Sequence, residues 1–131
     1  MIAHSDQPEQ SKRLLDQLVS VFRGARYTTA AETVPLGTVL QRIQDGTYRE
    51  RIADVRMHKL GGMGTYKRAK EALPGFTPCC AIRTRDKDVP WSEKLLSTTG
   101  LVHYDFDNVE YPAVLKSQLA SNPATVFAFI G

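Results

Sequence analysis

Gly100-Leu101-Val102-His103-Tyr104-Asp105-Phe106-Asp107 is the stretch on which the reading of this 131-residue chain turns. Leu101 and Val102 are β-prone, and from His103 onward polar and aromatic residues alternate, which predicts a strand. Side chains two apart on a strand share a face. Asp105 and Asp107 therefore point the same way, with His103, while Tyr104 and Phe106 are expected to pack as core on the opposite face. Pro112 then opens a helix whose apolar residues are Val114, Leu115 and Leu119, closed near Asn122-Pro123. Ala124 to Ile130 reads as a second, apolar strand. The tail is thus β–α–β, a unit that places its strands parallel with a right-handed crossover.

Working back from this stretch, Trp91–Ser97 reads as a helical turn, with Trp91 as a core or rim anchor. Arg85-Asp86-Lys87-Asp88 reads as a charged surface turn, and Pro78–Arg83 as an extended, apolar strand. Thr65–Leu73 is a short helix halted by Pro74-Gly75. Gly61-Gly62-Met63-Gly64 is expected to be a flexible loop, because three glycines in four residues hold neither helix nor strand cheaply. It is not a phosphate loop, since no Gly-Lys-Ser/Thr follows. Arg49–Arg56 predicts a helix with Tyr48, Ile52 and Val55 inward. Leu36, Val39, Leu40 and Ile43 mark another, capped by Thr33, with Pro35 in its first turn and Gly46 at its end. From about Ser11, the spacing of Leu14, Leu15, Leu18, Val19 and Phe22 predicts an amphipathic helix stopped at Gly24. Arg26–Ala31 carries no clear signal. Residues 1–12 are polar and expected to fray, leaving 13–131 as a single α+β domain.

Composition bounds the function classes. Apolar residues are 42% and charged residues 24% of the chain, which is ordinary globular usage and argues against wholesale disorder. No apolar run is long enough to span a bilayer, and the polar N-terminus lacks the apolar centre of a secretory signal, so no membrane role and a cytoplasmic location are expected. Cys79 and Cys80 are adjacent, a spacing that strains a mutual disulfide and supplies too few ligands for zinc; two small, mostly buried thiols in a reducing compartment are expected. The net charge is only +3, but it is uneven. Residues 41–70 carry eight Lys and Arg against three acids, whereas residues 101–131 carry Lys116 against Asp105, Asp107 and Glu110. That pattern suits phosphates held beside a metal-loaded carboxylate pair, and equally the solvated face of two helices.

Two carboxylates on one strand face can share a hard divalent cation such as Mg²⁺ or Mn²⁺, which keeps positions open for phosphate oxygens and water. This is the arrangement that phosphoryl and nucleotidyl transfer need. His103 shares the face and is a candidate third ligand. Asp-x-Asp is also common at strand ends with two solvated carboxylates.

Gly100 to Asn108 resembles the hydrophobic-Asp-hydrophobic-Asp signature of the archaeo-eukaryotic-type primase–polymerase superfamily, most closely its bacterial and phage VirE N-terminal-like branch. Other segments are similar to that branch in the same order. Ile43-Gln44-Asp45-Gly46-Thr47-Tyr48 resembles its Ile-x-x-Gly-x-Tyr segment, and Tyr66 to Pro74 its Tyr-Lys-x-x-Lys-x-x-Leu-Pro segment. Phe76–Arg83 resembles the strand that follows, Thr99-Gly100-Leu101 the lead into the acidic motif, and Asn122-Pro123 with the run to Ile130 the next strand. The resemblance covers roughly residues 18–131.

It implies an N-terminal helical or α/β part beside a primase-type sheet related to the RNA-recognition fold. It also implies metal-dependent nucleotidyl transfer in DNA replication of a mobile element or phage. Asp105 and Asp107 would be the catalytic, metal-binding carboxylates, Mg or Mn the cofactor, and a single-stranded DNA or RNA template with nucleotides the partners. In relatives a Ser-Pro-Ser-Gly-x-Gly-Leu-Lys type segment, a His-containing motif and a further acid follow. The present sequence stops at Gly131, before them. A fragment, a split gene product or a reduced descendant is therefore expected, incomplete or inactive alone, with an exposed sheet edge open to self-association or a partner chain.

Arg83 and Arg85 are candidates for holding triphosphate or template, and Lys67, Arg68 and Lys70 for tracking a nucleic-acid backbone. For each, plain surface charge is the competing reading. The alternative at the level of function is a nucleic-acid or replication-partner binding module without catalysis.

Overall fold

A computed structural model of the protein describes residues 12–129. Most of the expected frayed N-terminus and the last residue of the expected final strand lie outside that range.

The centre of the molecule is strand β1, Leu18–Phe22, in which Val19, Ser20, Val21 and Phe22 are all buried. This corrects the expected N-terminal helix: residues 12–15 make one helical turn, and the chain then becomes extended. Leu-Val-Ser-Val-Phe is short, β-branched at alternate positions and apolar on both faces, so it suits a central strand covered on both sides better than half a helix. Strand β2, Glu32–Pro35, runs antiparallel along β1 from Leu18↔Pro35 to Val21↔Glu32. Strand β3, Gly75–Phe76, pairs with the other edge of β1, also antiparallel, giving the order β2-β1-β3. Thr33, read as a helix cap, is instead paired with Ser20 inside this sheet.

Pro35 leads directly into helix α1, Leu36–Gln44. Its first N–H, on Leu36, donates to the Gln17 carbonyl at 2.8 Å, which replaces a side-chain cap. Leu36 and Val39 are buried and Leu40 and Ile43 pack beside them, as the helical spacing predicts. Gly46, at φ +73°, ends the turn after α1. Helix α2, Arg49–Gly61, and helix α3, Met63–Glu71, form an antiparallel hairpin. The expected glycine loop shrinks to a single break at Gly62, φ +134°. Gly61 and Gly64 lie within the helices, because packing of one helix on the other outweighs their poor propensity.

A second sheet pairs β4, Cys80–Ile82, with β5, Leu95–Thr98, antiparallel and with a bulge at Ala81/Ile82. The short helix α4, Trp91–Lys94, precedes β5. Trp91 is a rim residue, largely exposed, with the Lys94 ammonium 4.5 Å from its ring centre. The sheets meet where β4 packs on β1. Thr77 ties the junction: its N–H donates to the Ser20 carbonyl at 3.0 Å, and its hydroxyl donates to the Cys80 carbonyl at 2.7 Å. The fold is α+β, and every strand pair among the described residues is antiparallel.

The expected β–α–β tail forms only its helix, α5, Pro112–Ala120. Neither 101–107 nor 124–129 is a strand. A strand exists through its neighbour's hydrogen bonds, and no hydrogen bond joins residues 102–110 or 126–129 to the rest of the described chain. These segments are held by side chains instead: Leu101 and Phe127 pack against the core, and the Phe127 ring centre lies 6.3 Å from that of Phe76. No helix of the described residues is long and apolar enough to cross a membrane.

Candidate functional site

The acidic segment leaves the core at Thr99, which is buried. Its N–H donates to the Cys79 carbonyl at 3.0 Å, its hydroxyl donates to the Pro78 carbonyl at 2.7 Å, and the Leu101 N–H donates back to that hydroxyl at 3.2 Å. Gly100, at φ +79°, makes the bend. From Val102 to Asn108 the chain is exposed, His103, Asp105 and Asp107 included.

Tyr104 and Phe106 correct the expectation that they form core: they are 74% and 53% exposed. Their rings stack on each other, centres 6.4 Å apart and planes 30° apart. Asn108, at φ 55°, turns the chain after Asp107, a conformation Asn tolerates better than most residues. Among the described residues no group of three His, Cys, Asp or Glu is placed to hold a metal.

The basic candidates separate. Arg85 is engaged in the fold. One Nη donates to the carbonyls of Gly24, at 3.0 Å, and of Ala25 and Tyr27, and the guanidinium lies 4.1 Å over the Phe22 ring. Arg83 is exposed, and only its backbone is bonded, to Ala30 and Lys94. Lys67 pairs with Glu71 at 4.0 Å, and Arg26 pairs with the same carboxylate at 2.9 Å. Arg68 and Lys70 on α3, like Arg56 and Lys59 on α2, are exposed and enter no ion pair.

A cleft of about 760 Å³ opens between the end of β1 and the helices α1, α2 and α3. Arg42 grips Glu32 there with both guanidinium nitrogens, one bond spanning 3.3 Å, and Tyr48 lies beside it. The hydrogen bond from Arg42 holds the Glu32 carboxyl below its ordinary pKa, against the opposing effect of burial. Arg23, Tyr27 and Arg51 also line the cleft, and the acidic segment does not reach it. No local motif announces this cavity, because its walls come from separate stretches of chain.

No protein-family model, curated protein or solved structure matches this chain.

Cys79 and Cys80 are free and half-buried. Burial pushes the Cys80 thiol upward, with the neighbouring Cys79 adding to the shift. That environment disfavours the thiolate, the reactive form.

Proposed function

We propose that this chain binds single-stranded nucleic acid through the α2–α3 hairpin, as part of a primase–polymerase-type system for nucleotidyl transfer. One observation carries the reading: Arg56, Lys59, Arg68 and Lys70 stand exposed on two packed helices and enter no ion pair. Cations without protein partners break no ion pair on turning to phosphates, and the counterions released from the nucleic acid drive binding. The order of motifs from Ile43 to Asp107 supports the family part of the reading.

Asp105 and Asp107 are the proposed metal carboxylates. Their hard oxygen donors suit Mg²⁺ or Mn²⁺, which in this chemistry would neutralise phosphate charge. Two exposed carboxylates are a weak site on their own, so catalysis by these residues alone is not proposed. A primase-type, RNA-recognition-like sheet at 101–107 would likewise require a neighbouring strand to satisfy its unbonded backbone.

The test is oligothymidylate binding measured against salt, paired with a Mn²⁺ titration by calorimetry. About four phosphate contacts give a slope of log affinity on log salt of roughly −3. Arg68→Glu/Lys70→Glu is expected to flatten that slope. Asp105→Asn/Asp107→Asn is expected to abolish Mn²⁺ heat and leave DNA binding in place. Affinity indifferent to salt removes the nucleic-acid reading, and Mn²⁺ heat unchanged in the double aspartate variant removes the metal assignment.

A further inference from the structure

We infer that the cleft at the end of β1 binds a small ligand with an apolar body and a phosphate-class dianion. Its volume of about 760 Å³ lies in the range of small-molecule sites. Val21, Phe22, Leu73 and Pro74 give it apolar walls. Of its two carboxylates Glu32 is held by Arg42, while Asp54, largely exposed, lies 3.5 Å from the His58 imidazole. Arg23 and Arg51 are left as cations of the lining that make no hydrogen bond through their side chains and no ion pair. A guanidinium presents paired donors that match a phosphate fork, and two of them favour a dianion over a monoanion. Tyr27, 54% exposed, also lines the cleft and is the aromatic side chain assigned to stack on the ligand's body.

The frame is fixed on two sides. The Ala25 N–H donates to the Glu71 carbonyl at 2.8 Å, locking the chain after β1 to the end of α3. On the other side the turn at Gly46 lies under the Arg49 guanidinium. Such a site depends on none of the residues assigned to nucleic acid or metal above, so the two proposals fail separately.

The experiment is an NMR and calorimetric titration of the full chain with phenyl phosphate, with inorganic phosphate and phenol as the two halves of the probe. Phenyl phosphate is expected to saturate one site and to bind more tightly than either half. Arg23→Gln and Arg51→Gln are each expected to weaken it on the order of tenfold. Because these side chains bond nothing, both variants should unfold at the wild-type temperature. Arg68→Glu/Lys70→Glu should leave phenyl phosphate binding unchanged. No saturation by about 10 mM, the millimolar edge of measurable affinity, overturns the proposal. So does equal affinity in the arginine variants, and equal affinity for inorganic and phenyl phosphate overturns the apolar body.

Discussion

The Ser20 hydroxyl makes a two-way bond with the backbone of Ile82: it donates to the carbonyl at 2.7 Å and accepts from the N–H at 2.7 Å. Both residues are buried, one in β1 and the other in β4. A side chain thus supplies what a ladder of backbone bonds would supply between adjacent strands, and it joins the two sheets. This also explains a polar residue in the middle of the most buried strand.

Ser20→Ala removes both bonds and strands a buried donor and a buried acceptor. The expected cost is about 1–3 kcal/mol, the penalty for a buried polar group left without a partner. Urea unfolding measures it. A loss within the scatter of a surface substitution would show that water replaces the hydroxyl and that the sheets do not depend on it.

Gly24 is buried against the end of α3, where an added Cβ would come within 2.6 Å of the Glu71 carbonyl oxygen. The obstacle is backbone, which cannot rotate aside. Gly24→Ala is therefore expected to destabilise by about 1–3 kcal/mol, the usual penalty of overpacking. It should also loosen the α3 end of the cleft. Thermal unfolding of the variant at or above the wild-type temperature would show that the contact yields.

The Glu32–Arg42 pair gives a pH dependence of known sign. Glu32 is held below its ordinary pKa in the folded protein, so the unfolded chain binds its proton more readily. The stabilisation is present at neutral pH and is lost as pH falls through the carboxylate range below about 4. The unfolding temperature of wild type is expected to drop more steeply over that interval than that of Glu32→Gln. Parallel curves for the two proteins would mean that solvent screens the pair fully, since the Glu32 side chain is 40% exposed.

Legibility in the sequence followed the reach of each signal. Leu36, Val39, Leu40 and Ile43 announce α1 because their periodicity is local and strong, and Pro74-Gly75 marks the end of α3 for the same reason. Leu18–Phe22 misled because its five residues fit a helical face and a buried strand equally well; the contacts that decide, with Thr33, Phe76 and Ile82, lie far along the chain. The alternation around Asp105 and Asp107 predicts a strand that does not form, because alternation describes a side-chain pattern and says nothing of whether a neighbour exists to pair with. The cleft was invisible for a related reason: Arg23, Arg42 and Arg51 belong to no motif until the fold brings them around one cavity.

Past Thr99 the described chain contributes no fully buried residue. The fully buried interior is drawn from residues before the acidic segment, and Leu101 and Phe127 pack against it from either side of that segment. Evolution can therefore rewrite Asp105, Asp107 and the stacked pair Tyr104–Phe106 at little expense to folding. An experimenter inherits the same freedom: substitutions at 104–107 can be made with the buried scaffold left intact.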